Sequence, residues 1–143
     1  MTYSEIRSNF LEAGRRRSYL ALLRNELERI EEFGRMLNIN AWSHPEVIFP
    51  TGAGQFSPLQ LETLLPEVFG DLVSDPNLVS ALNTVRELIH GIDSAARAVA
   101  SKAAEKRLTE KDVHTHIRFL RNDPARVSGE ARRALDALKK VVW

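Results

Sequence analysis

The chain has no cysteine, which excludes a disulfide framework and any thiolate-held zinc or iron–sulfur site. With seven glycines and six prolines among 143 residues, collagen-like and low-complexity architectures are also excluded. Neither sign of charge dominates: twenty Lys and Arg face nineteen Asp and Glu, a formal net of +1, so any phosphate-binding surface has to be local. No uninterrupted apolar run nears the roughly 20 residues that span a bilayer, because Arg24, Glu26, Arg86 and His90 break the nearest candidates. The opening Met1-Thr2-Tyr3-Ser4-Glu5 lacks the apolar stretch of a secretory signal and is soon followed by Arg15-Arg16-Arg17. The expectation is a cytoplasmic protein that stays out of the membrane.

What is present is a composition 43% hydrophobic and 27% charged, enough for a core and, at this length, one helical domain over residues 1–143. β-branched residues nowhere alternate with period two, so the predicted fold class is all-α. No internal repeat at about 30–45 residues points to a helical solenoid. The clearest pattern is Leu78, Leu82, Val85, Ile89, Ile92, Ala96, Val99 and Ala103, separated by alternating four- and three-residue steps. Such a heptad seam stays on one face of a helix and predicts a long one from about Asp75 to Arg107. Asp75 suits the N-cap and Pro76 the first helical position, where a missing N–H costs nothing.

A second seam runs through Leu20, Leu23, Leu27, Ile30 and Leu37, with Gly34 standing on it, and predicts a helix from near Ser4 to Leu37. Thr2 or Ser4 suits its cap, and Arg24 with Glu28 and Glu31 with Arg35 support its exposed side. Between the long helices, residues 38–57 read as an irregular connection with Pro45, Pro50 and Thr51-Gly52-Ala53-Gly54, whose Trp42, Ile48 and Phe49 tuck onto the bundle. Ser57-Pro58-Leu59-Gln60 then opens a short helix that Pro66 kinks or splits before Phe69 and Val73. Thr109 to Asp112 starts another, ending near Asn122; Asp123-Pro124 breaks the chain, and Ser128 caps a last helix with Ala131, Leu135, Leu138 and Val142 on its apolar edge.

Charge is unevenly spread. Residues 1–25 carry five basic and two acidic groups, 26–76 two basic and nine acidic, and 118–143 seven basic and three acidic. Basic ends either pair with the acidic middle or converge on a phosphate-binding face. Arg16 falls on the extrapolated first seam, where its guanidinium suits a polar contact with a carboxylate at an interface.

Few residues offer chemistry. Glu87 and His90 have the Glu-x-x-His spacing of di-iron bundles, but at 100° per residue both project away from the seam, so no metal site is expected. His114 and His116 diverge on a helix, with His116 turned toward Val113 and Ile117. Thr51-Gly52-Ala53-Gly54 has neither the Lys-Ser/Thr nor the preceding strand of a phosphate loop. Arg107 and His114 resemble the Arg-x4-6-His pattern of the HEPN ribonucleases, dimeric helical domains of similar length, although Leu108 stands where a polar residue is usual. The resemblance implies Arg107 polarising an RNA phosphate and His114 moving the proton of a 2′-hydroxyl attack in a dimer cleft.

The pattern as a whole predicts an elongated helical bundle, two long helices forming an antiparallel hairpin with three or four shorter ones. The expected function is non-catalytic: a helical interaction and oligomerisation module, a small subunit or accessory component of a larger complex. It takes no cofactor and no metal. Leu78, Leu82, Val85, Ile89 and Ile92 meet Leu20, Leu23, Leu27 and Ile30, within the chain or across an interface with a second copy or a protein partner, and Arg16 is a polar contact beside them. The alternative is a HEPN-like RNA-binding or RNA-cleaving domain that uses Arg107, His114 and the basic C-terminal helix.

Overall fold

The computed structural model describes residues 2–43 and 75–140. They form four helices: α1 Tyr3–Ser43, α2 Pro76–Ala104, α3 Glu110–Leu120 and α4 Asp123–Leu138. No strand occurs among the described residues, so the all-α class holds. The short helix expected between Ser57 and Val73, with Ile48, Phe49 and the Thr51–Gly54 run, lies outside the described residues.

Three of the four described helices, α1, α2 and α3, start where a side chain supplies a partner for their free amides. At α1 the Glu5 N–H donates to Thr2 Oγ1 (3.2 Å) while the Thr2 N–H donates to Glu5 Oε2 (2.9 Å), a reciprocal capping box. Asp75 Oδ1 accepts from the Leu78 N–H at 3.2 Å, and Pro76 follows in the first turn of α2. Thr109 and Asp112 make a second capping box at α3. Asp112 also accepts from Lys102 Nζ at 3.0 Å, which ties the start of α3 to the end of α2. These bonds, first the one from the Thr109 backbone, hold the Asp112 carboxyl down to about 2. α2 ends at Ala104 rather than Arg107: Lys106 turns left-handed (φ 57°), and the Lys106 and Arg107 N–H groups donate back to Ala103 and Lys102.

The last helix organises the rest. Ser128 Oγ donates to the Glu31 carbonyl (3.1 Å) on α1, and Arg133 Nη2 donates to Ser80 Oγ (3.2 Å) on α2. Asn38 bonds to residues just before α4 begins, Glu31 meets Ser128, and Leu20 shares a groove with Leu138, so α4 runs antiparallel to α1. α3 turns back along α2, and α4 continues in that direction past Ser80. The two long helices therefore run in the same sense, each packed on α4. The antiparallel hairpin is corrected: a seam fixes which face is buried, not which helix covers it.

Three further expectations are revised. α1 continues to Ser43, into the connection expected from residue 38, because its end is clasped by the α3–α4 turn. Asn38 Nδ2 donates to the Arg121 carbonyl (2.9 Å), Arg121 Nε donates to the Ala41 carbonyl (3.0 Å), and Trp42 Nε1 donates to the Arg121 carbonyl (3.3 Å). The Arg121 guanidinium lies 4.8 Å from the Trp42 ring centroid. Asp123-Pro124 opens α4 instead of breaking the chain, since proline fits a first helical turn. Ser128 is thus inside α4, spent on the bond to α1 rather than on a cap.

The core takes Leu23, Leu27 and Ile30 from α1, and Leu78, Leu82, Val85, Ile89 and Ile92 from α2, all fully buried. α4 adds Val127, Ala131, Ala134 and Leu135, and α3 adds Leu120. Fully burying each Leu, Ile or Val among them contributes about 1.5–3 kcal/mol. Gly34 sits at the closest approach: a Cβ there would stand 2.8 Å from the Pro124 carbonyl oxygen and 3.4 Å from the Ser128 nitrogen. A Cβ at Gly91 or Gly129 meets nothing within 4 Å.

The sign of a Gly→Ala change should therefore depend on position. Gly34→Ala should destabilise by about 1–3 kcal/mol, because backbone must shift to admit the methyl. Gly91→Ala and Gly129→Ala should each stabilise by about 0.5–1 kcal/mol through helix propensity. Urea unfolding of the three variants checks this, and a stabilised Gly34→Ala would disprove the close approach.

Candidate functional site: a basic groove between α1 and α4

The seam residues lie inside the single chain. Leu23, Leu27, Ile30, Leu78, Leu82, Val85, Ile89 and Ile92 are fully buried, while Leu20 is half-buried at the core's edge. Of the residues expected to meet a partner, then, Leu20 alone faces outward, and the others are covered by α4. Arg16 is half-buried just beyond the core, at the end of the seam.

The structure does not bring Arg107 and His114 to a shared partner. Arg107, in the α2–α3 turn, pairs with Glu105. His114, on α3, stands 3.6 Å from Glu110. Both are exposed, and His114 lines a cleft of about 530 Å³ with Trp42, Arg118 and Arg121 that does not include Arg107. Glu87 and His90 are both exposed on α2. No group of three or more His, Cys, Asp or Glu that could hold a metal ion occurs among the described residues. None of the described helices is long and apolar enough to cross a membrane.

A groove of about 340 Å³ opens where α4 lies along α1. Its floor is apolar: Leu20 and Ala21 from α1, Leu135 and Leu138 from α4. Its rim is charged: Arg17, Arg24 and Glu28 on one side, Arg132 and Lys139 on the other. Four cations thus surround one carboxylate. Arg132 lies 3.8 Å from Glu31 and 3.5 Å from Asp136, which offset its charge. Arg17, Arg24 and Lys139 form no ion pair among the described residues. The basic ends of the sequence converge here, and the Arg132–Glu31 contact is also where the C-terminal helix meets the acidic segment.

The local sequence explains this placement. Arg17, Leu20, Ala21, Arg24 and Glu28 follow one another at steps of one, three or four residues on the side of α1 next to its core seam. Arg132, Leu135, Leu138 and Lys139 do the same on α4. Reading for core seams finds Leu20, Leu135 and Leu138 but passes over the basic residues interleaved with them. The usable signal was the basic count at both ends.

A second cleft, between α2 and α3, is lined by Ala95, Val99, Lys102, Thr115, His116 and Phe119 among others. His116 is buried here, as its sequence position beside Val113 and Ile117 predicted. Burial pushes its imidazole below the ordinary value of 6.5, favouring the neutral ring. Elsewhere, buried Glu26 is held by a bidentate contact from Arg29 at 2.6 and 3.1 Å.

Compared with protein-family models, with curated proteins and with solved structures, the chain matches none.

The His116 shift has a definite consequence for stability. The unfolded chain takes up this proton more readily than the folded one, so the contribution is full above about pH 6.5 and is lost as pH falls below that value. The melting temperature should fall between about pH 7 and pH 5, and less steeply in His116→Gln. Equal slopes for the two proteins would refute the burial effect.

Proposed function

We propose that this chain is a non-catalytic helical interaction module, a small subunit or accessory component of a larger assembly that docks a second copy or a protein partner on the outer faces of α1. One observation carries the reading. Tyr3, Ile6, Leu11, Leu22, Met36, Ile39 and Trp42, the large hydrophobic side chains exposed among the described residues, all belong to α1. Tyr3 is 81% exposed and Leu11 57%. Scattered exposed apolar residues need no special account, but their confinement to one helix does. The core seams are occupied within the chain, so docking uses this second set of apolar positions and leaves the bundle intact.

An RNA-cleaving role draws no comparable observation. Arg107 and His114 each face their own carboxylate, and the cleft that His114 lines does not include Arg107.

The test is a variant carrying Ile6→Asp, Leu11→Asp and Leu22→Asp, compared with the unaltered chain by light scattering over a concentration series and by co-purification from cells. All three side chains are exposed, so helicity and melting should hold within the about 0.5 kcal/mol typical of surface changes. Association, with itself or with specific co-purifying proteins, should be lost. A monomer at every concentration whose co-purifying proteins are the same in both forms would refute the reading.

A further inference from the structure

We propose that the groove between α1 and α4 receives an acidic amphipathic helix of a protein partner. This rests on the reading of the chain as a docking module and adds a partner site beside Tyr3 and Ile6, two of the exposed positions of α1. Shape is the first argument. Arg17 to Glu28 covers about 16 Å of helix, roughly three turns, and the antiparallel α4 supplies the facing wall. A furrow between two helices with Leu and Ala on its floor fits the i, i+3, i+4 apolar side chains of a third helix.

Charge is the second argument, and it selects the partner. Arg17, Arg24 and Lys139 stand on both edges of the furrow, opposed by Glu28 alone. A helix lying on the leucines carries its flanking residues past these cations, so Asp and Glu at the flanks gain and Lys and Arg are repelled. The same asymmetry counts against a second copy of this chain in this groove. A two-fold arrangement would set this basic patch against its own copy.

Continuity is the third. At 100° per residue, Tyr3 and Ile6 fall in the same sector of α1, about 100° wide, as Arg17, Leu20, Ala21 and Arg24. Both are exposed, so the face that forms one wall of the groove continues beyond it as an apolar track. A docked helix longer than three turns would meet Ile6 and then Tyr3 on leaving the groove.

The experiment titrates two labelled synthetic helices into the full chain and follows anisotropy. Both peptides carry leucines at alternating three- and four-residue steps; one has glutamate at the flanking positions and the other lysine. The glutamate peptide should bind saturably, at least tenfold more tightly than the lysine peptide, and more weakly as salt is raised. The triple variant Arg17→Glu, Arg24→Glu, Lys139→Glu should lose at least tenfold for the glutamate peptide and come to prefer the lysine one. Because all three residues are exposed, its circular dichroism should be unchanged; if it is not, Arg24→Gln alone should still weaken the glutamate peptide. Failure of the glutamate peptide to saturate, equal binding of the two peptides, or indifference to the charge changes would overturn the proposal. Dodecanoate binding without peptide binding would assign the groove to a small anionic amphiphile, and a dimer abolished by the triple variant would assign it to a second copy; both overturn it. Failure here with loss of association in the Ile6, Leu11 and Leu22 variant would leave the docking reading standing.

Discussion

The two long helices reach one another through the last and shortest-stepped face of the fold, the side of α4 that carries Val127, Ala131, Ala134 and Leu135. Alanines at the centre of that face let both neighbours approach closely. On α1 the fit is tighter still, with Gly34 under the Pro124 carbonyl. Dispersion and apolar burial reward such contact only when shapes match to within a methyl group. Two polar ties then fix the register, Ser128 to Glu31 on one side and Arg133 to Ser80 on the other. Neither long helix has a stable place without α4, and both seams are satisfied by it.

The groove follows from the same arrangement. α4 covers α1 from Asn38 down to about Leu20 and then ends, while α1 continues toward Tyr3. Where two antiparallel helices touch along one line, a furrow opens beside that line, and its walls are the next residues around each cylinder. On α1 those are Arg17, Leu20, Ala21 and Arg24; on α4 they are Leu135, Leu138 and Lys139. The charge of the rim is therefore a direct outcome of which residues flank the seams, and it concentrates the basic ends of the chain at one place in a molecule whose net charge is only +1.

Much of this was legible in the sequence, and the remainder was not for identifiable reasons. The α2 seam from Leu78 to Ile92 is buried throughout, because an unbroken heptad leaves little doubt about which face is covered. Asp75 caps as expected and α3 opens at Thr109 to Asp112 as expected, since such starts depend on neighbours within four residues. The end of α1 depends instead on Arg121, some eighty positions away, so the helix could not be followed to Ser43 from local signals. Ser128 and Pro124 depart from expectation for a related reason: a proline breaks one helix and begins another with the same stereochemistry, and a serine inside a helix satisfies a neighbour as readily as it caps. Periodicity also carries no information about direction, which is why the long helices were expected to oppose each other. Of the groove, the sequence showed the basic ends but not their convergence. Of Arg107 and His114, it showed a spacing but not that each would turn to its own glutamate.

The pairing of α1 with α4 has a consequence for how the chain comes into being. The bond from Ser128 to Glu31 joins residues 97 positions apart, whereas the ties between α2 and α3 span as few as 10. During synthesis α1 leaves the ribosome well before α4, the helix its leucine seam packs against in the folded chain. At about 5–20 residues per second that interval lasts several seconds to tens of seconds. Throughout it, Leu23, Leu27 and Ile30 lack the α4 surface that covers them in the folded chain and are open to chaperones and to neighbouring nascent chains.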